Sequence, residues 1–420
     1  MRSMIPAQAA ALVREGDVVF LAASCGEPAA VLDAVAAEPD LWRGVTLVGA
    51  FLPGINERDY AALGRDTTVR TIFSTDSLRR TAEPGRVRHM PIAYSELWHR
   101  IGQRGAIDVA FFQVTRSRGD GTVGLGVSGD FAPALLPTGA RLVGLVNPVM
   151  PDPPDAPRIP ADRFEALVDV DTPLIEYDAG PADAATMEIG RRVAGLLEDG
   201  DRLQLGLGKV QAAVFDALDG RARIGFYGGM ISSPIRGHLE RGTFQLGVTT
   251  GVALGDASFY RALGAMADVA YRPVGDTHGG DALAAVDRLV SVNSVLEVDL
   301  FGQANAEMLG TRQISGQGGF VDFVRGARRS PGGRSILALP STAARGKLSR
   351  IVPALLPGVP ATVARADADI VVTEYGVAHL READVEERAH RLIAIAHPDF
   401  RDALARAWRS GDFAERAAAP

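Results

Sequence analysis

Short apolar runs alternate with stretches of helical period along almost the whole chain, the pattern left by parallel strands joined through crossover helices. "DVVFLAAS" (17–24) predicts a strand and "EPAAVLDAVAAE" (27–38) the helix that follows it. "VTLVGAF", "TVRTIF", "DVAFFQVT" and "RLVGLVN" continue the strand series at crossover spacing and complete a first lobe. "NPVMPDPPDAPRIP" (147–160) carries six prolines, which lack ladder donors, so an extended surface excursion is expected there. The polar stretch "YDAGPADAA" (177–185) precedes the helical pattern "TMEIGRRVAGLLEDG". The lobe boundary is therefore placed between 180 and 181, giving an N-terminal lobe of residues 1–180 and a C-terminal lobe of residues 181–420. Strand patterns in the second lobe are "RLQLGLG", "RIGFYGG", "RLVSVNSVLEVDLFG", "SILALPS" and "ADIVVTEYG". The fold class expected is α/β, with two open, mostly parallel-sheet lobes. The alanine- and arginine-rich tail after Ala403 reads as a helix that frays.

Composition narrows the function classes. With 420 residues, 47% of them hydrophobic and 23% charged, the chain can bury more than one ordinary core. A net charge of -7 and the lack of any long Lys/Arg run argue against nucleic acid as a partner. No 18 apolar residues run together, and Arg14 and Glu15 interrupt the N-terminus before a signal-like core is complete. No membrane association is expected, and a cytoplasmic location is. Cys25 is the only cysteine, so an intrachain disulfide and a multi-cysteine zinc site are excluded. The seven histidines show no ligand spacing, so no metal is expected.

Two glycine motifs carry candidate chemistry. "LQLGLGKVQAAVFDAL" (203–218) is strand, glycine turn and helix, leaving backbone N–H groups at a helix N-terminus where phosphate or an oxyanion is stabilised. Gln211 stands where a dinucleotide fingerprint has its third glycine, and a plain tight turn fits the stretch equally well. "ISGQGGFVDFVRGARRS" (314–330) sets Gly316, Gly318 and Gly319 around Gln317 and before Asp322 and Phe323. That glycine content permits close backbone approach to a ligand, although such clusters also mark ordinary loops. Cys25 follows a strand end, but small thiols are more often buried filler.

Five blocks between residues 293 and 404 are decisive: "NSVLEVDLFGQANAEMLGT", "SGQGGFVDFVRGA", "LPSTAARGKLSRIVP", "VVTEYGVAHLR" and "ERAHRLIAIAHPDFRDAL". Their order resembles that of the acetyl-CoA hydrolase and 4-hydroxybutyrate CoA-transferase family. "EGDVVFLAASCGEP", "DVAFFQVTRSRGDGTVGLGVS" and "LVNPVMP" extend the resemblance over nearly the whole chain. It implies an active site between the two lobes, coenzyme A bound as acyl-CoA mainly by the second lobe, and a homo-oligomer. In the family a glutamate attacks the thioester, and the mixed anhydride becomes a glutamyl-CoA that a second carboxylate resolves. The loops that stabilise the oxyanions correspond to Gly206, Gly208, Lys209 and Val210, and to Gly316–Gly319. Arg345 and Lys347 stand near Ala344, where the family usually has Lys.

The family's glutamate lies in a segment like "LGIHTEMISDG". "IGFYGGMISSP" aligns with it without a gap and puts Gly229 at the glutamate. Glycine forms no acyl anhydride and carries no CoA. The expected function is thus use of a CoA thioester without the glutamyl-CoA intermediate, by hydrolysis or carbon–carbon cleavage. The absent side chain is expected to leave space for a bulkier acyl group or for water. Glu27 and Asp120 are candidate bases, each with a plainer reading as a helix start or a turn cap. A non-catalytic CoA-binding homologue is the alternative. A conventional transferase would need Glu240, Glu297, Glu307 or Glu374 as its nucleophile.

Overall fold

The structure, a computed structural model, describes residues 4–80, 84–218, 220 and 222–413. One compact unit comprises Met1–Asp178, Gly229–Ser233 and Val248–Gly279, and a second comprises Ala179–Gly228, Pro234–Gly247 and Gly280–Pro420. This differs from the single cut expected after residue 180. Segments 229–233 and 248–279 join the first unit because hydrogen bonds tie them there: Ala253 N donates to Val127 O at 2.9 Å and Val274 N to Asp130 O at 2.8 Å. Pairings over such sequence separations leave no trace in local periodicity.

The first unit holds β1 (Val18–Leu21), β2 (Thr46–Gly49), β3 (Thr68–Thr71), β4 (Val87–His89), β5 (Val109–Val114), β6 (Arg141–Val146) and β7 (Phe164–Asp169). They form one parallel sheet in the order β4-β3-β2-β1-β5-β6-β7. β5, "VAFFQV", is buried at every position, as a strand covered on both faces must be. Val19, Leu21, Trp42, Leu47, Phe111 and Val143 share one core with Val31, Leu32 and Val35 of α1 (Ala29–Ala37). The first strand is shorter than its apolar run. After Leu21 the chain enters a 3-10 turn, Ser24–Gly26, with Ser24 at φ 56°, and α1 starts only after Pro28. The proline-rich segment is not a free excursion either: Arg158–Pro160 pairs antiparallel with Thr122–Gly124, and Met150, Ala156 and Ile159 are buried. Tyr94–Ile101 forms α2.

In the second unit, α3 (Ala184–Ala194), β8 (Arg202–Leu205), α4 (Lys209–Ala217), β9 (Gly225–Tyr227) and β10 (Leu289–Ser294) precede α5 (Phe320–Arg329) and β11 (Arg334–Ala338). β12 (Ile370–Thr373), β13 (Gly376–His379), α6 (Val385–Ile395) and α7 (Pro398–Ser410) follow. The strands pair in the order β9-β8-β10-β11-β12-β13, parallel except for the last pair. The run 288–302 is not one strand: Glu297–Asp299 leaves β10 to pair with Ala304–Asn305 and Ile351–Val352. α7 holds firm through Ser410, with Phe400 and Leu404 in the core and Gly411 as a left-handed cap at φ 70°; residues 414–420 lie outside the described part.

α3 lies directly against α4, the helix behind the first glycine loop, because Gly190 has no side chain: a Cβ there would come within 2.4 Å of Ala213 O. Backbone does not yield as a side-chain tip does. Gly190→Val is therefore expected to destabilise the protein by about 1–3 kcal/mol or more, read from chemical denaturation, by forcing the two helices apart.

Candidate active site

Gly206–Gly208 directly follows the carboxyl end of β8, the edge where open α/β sheets bind ligands, and Gly316–Gly319 leads into α5 on the crossover from β10 to the parallel β11. Gly208 has φ 124° and Gly318 φ 52°, conformations that a side chain would strain. The space beside Gly206 is open, the nearest atom to a Cβ there being Asn293 Oδ1 at 4.0 Å. Asn293 is fixed by donating to Gln204 Oε1 at 3.1 Å. Lys209, the first residue of α4, is exposed, whereas Val210 is buried. Asp322 is partly buried in the first turn of α5, and Phe323 packs into a small core with Leu283, Leu289 and Ala327. Phe323 is thus a supporting residue of the loop. Arg345 and Lys347 sit exposed at the tip of the hairpin Thr342–Ser349, whose turn residues Ala344 and Arg345 are left-handed.

The four glutamates considered as other nucleophiles are all engaged. Glu240 is on the surface and pairs with Arg236 at 2.8 Å. Glu297 is buried and accepts from Asn305 Nδ2 at 3.0 Å, and Glu307 accepts from Thr362 Oγ1 at 2.9 Å. Glu374 takes the backbone N–H of Ser341 at 2.8 Å on one oxygen and its hydroxyl at 2.6 Å on the other.

Gly229 belongs to the first unit, in a buried stretch leading into Met230–Ser232, which pairs with Val252–Leu254. Its φ lies outside the left-handed region, so the backbone itself does not call for glycine. A neighbour does. A Cβ on Gly229 would lie 2.5 Å from His278 Cε1 and 2.7 Å from its Nε2. The space expected from the missing side chain is therefore absent, because an imidazole from a distant segment fills it. His278 is buried, stacked on Tyr94 with centroids 5.0 Å apart and planes 15° apart, and its Nδ1 lies 2.9 Å from Thr277 Oγ1. Burial pushes its pKa down to about 3, so the ring is neutral at ordinary pH.

Of the two candidate bases, Glu27 is buried and accepts from Tyr60 Oη, from Asn56 Nδ2 at 3.1 Å and from Arg58 Nε at 3.0 Å. These donors occupy both of its oxygens and fix the loop after β1. Asp120 lies in an exposed turn, where the Thr122 backbone N–H at 2.9 Å and hydroxyl at 2.8 Å hold its carboxyl below the usual range. That is the setting of a turn cap. Cys25 is fully buried, donates to Ala253 O at 3.3 Å, and has its thiol pushed up to about 12 by burial. It is no thiolate nucleophile.

Asp130 is a carboxylate that sequence patterning missed. Its carboxyl is raised to about 6 by burial, and its Cβ lies 3.6 Å from where a Cβ on Gly251 would stand. Gly251 N and Val252 N donate to Gly229 O at 3.1 and 3.0 Å, so Asp130 stands one backbone away from Gly229. Asp130 sits in no motif and His278 lies 49 residues from Gly229, so only the folded chain brings these groups together.

The model of the acetyl-CoA hydrolase/transferase N-terminal domain matches residues 2–157, and that of the acetyl-CoA hydrolase/transferase C-terminal domain matches residues 255–408. The chain belongs to this family. A 4-hydroxybutyrate coenzyme A transferase of Clostridium kluyveri is 33% identical over 401 residues, 92% of each chain. A succinyl-CoA:cyclohexane-1-carboxylate CoA transferase of Geobacter metallireducens is 32% identical over 414 residues, 96% of this chain and 94% of that one. RipA from Yersinia pestis superposes with a TM-score of 0.90 at 28% identity, and a 4-hydroxybutyrate CoA-transferase from Porphyromonas gingivalis with 0.80 at 30%; each comparison covers 98% of both chains. Family members, transferases and hydrolases alike, use CoA thioesters. Among the described residues no helix is long and apolar enough to cross a membrane.

The buried imidazole makes stability depend on pH. Below pH 6.5, its ordinary value, the unfolded chain binds a proton that folded His278 refuses down to about pH 3, so acid removes stability. Asp130 acts oppositely between 3.8 and about 6, where only the folded chain holds its proton. The two slopes are separated by difference: from pH 7 to 4 wild type should lose stability relative to His278→Asn, at up to about 1.4 kcal/mol per pH unit. Parallel denaturation curves for the two proteins at every pH would contradict a neutral buried ring.

Proposed function

We propose that the protein acts on an acyl-CoA thioester without forming a glutamyl-CoA intermediate, transferring the acyl group to water. The observation that carries this is Gly229, which offers no carboxylate and whose side-chain volume is filled by His278. The backbone N–H groups of Gly206–Val210 and Gly316–Gly319 act as donors to the thioester oxyanion, for which the loop conformations at Gly208 and Gly318 are suited. Asp130 takes the proton from the attacking water. A carboxyl raised to about 6 is still mostly ionised at neutral pH and accepts a proton more readily than an ordinary aspartate. Glu27 and Asp120 are not assigned this role, because their hydrogen bonds already commit them to a loop and a turn. The same base and oxyanion donors would serve carbon–carbon cleavage of a β-keto acyl-CoA, in which water likewise attacks a carbonyl.

The test is saturable binding of CoA and a panel of acyl-CoAs by calorimetry, together with thiol release followed in the presence and absence of added acetate or succinate. Release should not depend on the carboxylate, and borohydride should trap no reduced glutamyl adduct. Asp130→Asn should cut release by about 10²- to 10⁴-fold with binding retained. In wild type, kcat/KM should rise with pH through about 6 as Asp130 loses its proton. Binding without release from any thioester would indicate a CoA-binding homologue. An adduct at Glu240, Glu297, Glu307 or Glu374 would make it a conventional transferase.

A further inference from the structure

Residues 229 and 278 compete for one volume. The segment carrying Gly229 is held from one side by Gly251 N and Val252 N, which donate to Gly229 O. His278 is held from the other side. It closes the short helix Val274–Thr277, with its N–H donating to Val274 O at 2.8 Å, and Val274 N in turn donates to Asp130 O. That helix lies tight against α2: a Cβ on Gly275 would come within 3.0 Å of Trp98 Cε2. Tyr94, on the same α2, stacks on the imidazole, and Thr277 Oγ1 meets Nδ1. The Gly229 segment and the ring are thus each tied by neighbours, so a Cβ at 2.5 Å from Cε1 has no cheap accommodation.

We infer that His278 is a specificity-determining residue whose imidazole forbids any side chain at position 229, so that Gly229 and His278 are a matched pair that closes the covalent carboxylate route. The part of this that concerns the reaction rests on the function proposed above; the part that concerns volume does not. A carboxylate introduced at 229 alone would have no room for its Cβ. Removal of the Cε1–Nε2 edge of residue 278 is what readmits it, and the chemistry that follows is ordinary acyl exchange: the carboxylate oxygen forms a bond to the thioester carbon, CoA thiolate leaves, and the thiolate then attacks the anhydride to give the enzyme thioester and the free acid.

A double-mutant cycle tests the volume. Gly229→Ala should lower Tm by several degrees in the wild-type background and far less in a His278→Asn background, since Asn keeps a polar atom for Thr277 but lacks the far edge of the ring. His278→Ser serves as the second background if His278→Asn does not fold. Equal losses in every background would overturn the inference. The reaction is tested by pairing Gly229→Glu with His278→Asn and supplying acyl-CoA and a free carboxylate. Transfer should be at least about tenfold faster than in Gly229→Glu alone, with a borohydride-reduced residue at position 229. Coupled stabilities without that gain would overturn control of the covalent route by His278. Thiol release by wild type, measured separately, decides the proposed function and does not enter the cycle.

Discussion

The contact between a glycine and a buried imidazole is the constraint on which the candidate site of the first unit depends. Gly229 is not needed for its backbone conformation but for the nearness of His278, and His278 is fixed by Tyr94, Thr277 and a short helix pressed on Trp98. Desolvation keeps the ring neutral, so the contact packs as an uncharged aromatic edge against a backbone. Charging it would bring a cation into the interior, where burial disfavours the charged form. The position beside Gly229 is thereby filled by an uncharged ring.

The second unit carries the two glycine loops that the proposed function assigns to the CoA thioester. Gly206–Gly208 follows the carboxyl end of β8 and leads into α4, and Gly316–Gly319 leads into α5. Gly190 lets α3 lie on α4, and Phe323 anchors α5 in a small core, so both loops spring from rigid supports. Donors held in this way are pre-organised, which is what makes backbone N–H groups effective toward an oxyanion.

Carboxylates divide by environment. Glu27 is saturated by donors from Tyr60, Asn56 and Arg58, and its loss would unpin the loop between β1 and α1. Asp120 closes an exposed turn. Asp130 is raised to about 6 by burial, against the pull of the Phe131 backbone N–H. Chemically similar side chains thus sit in three different settings, and burial and donor count set them apart.

The α/β class, most of the parallel strands and the two glycine loops were legible in the sequence, because a continuous apolar run such as "VAFFQV" and a glycine turn between strand and helix are local signals, whereas the edge strands β4, β7 and β13 were not. The family was legible for the same reason: its blocks are contiguous. What the sequence could not show was every feature made by long-range packing. The split of 288–302 into two strands, the burial of Met150 and Ile159 within a proline-rich segment, and the joining of 229–233 and 248–279 to the N-terminal residues all depend on partners far away in the chain. The sequence determined by itself that position 229 has no nucleophile. Only the tertiary structure decided that the position is closed rather than open, because the volume beside a residue belongs to whichever side chain the fold brings there, and His278 arrives from 49 residues away.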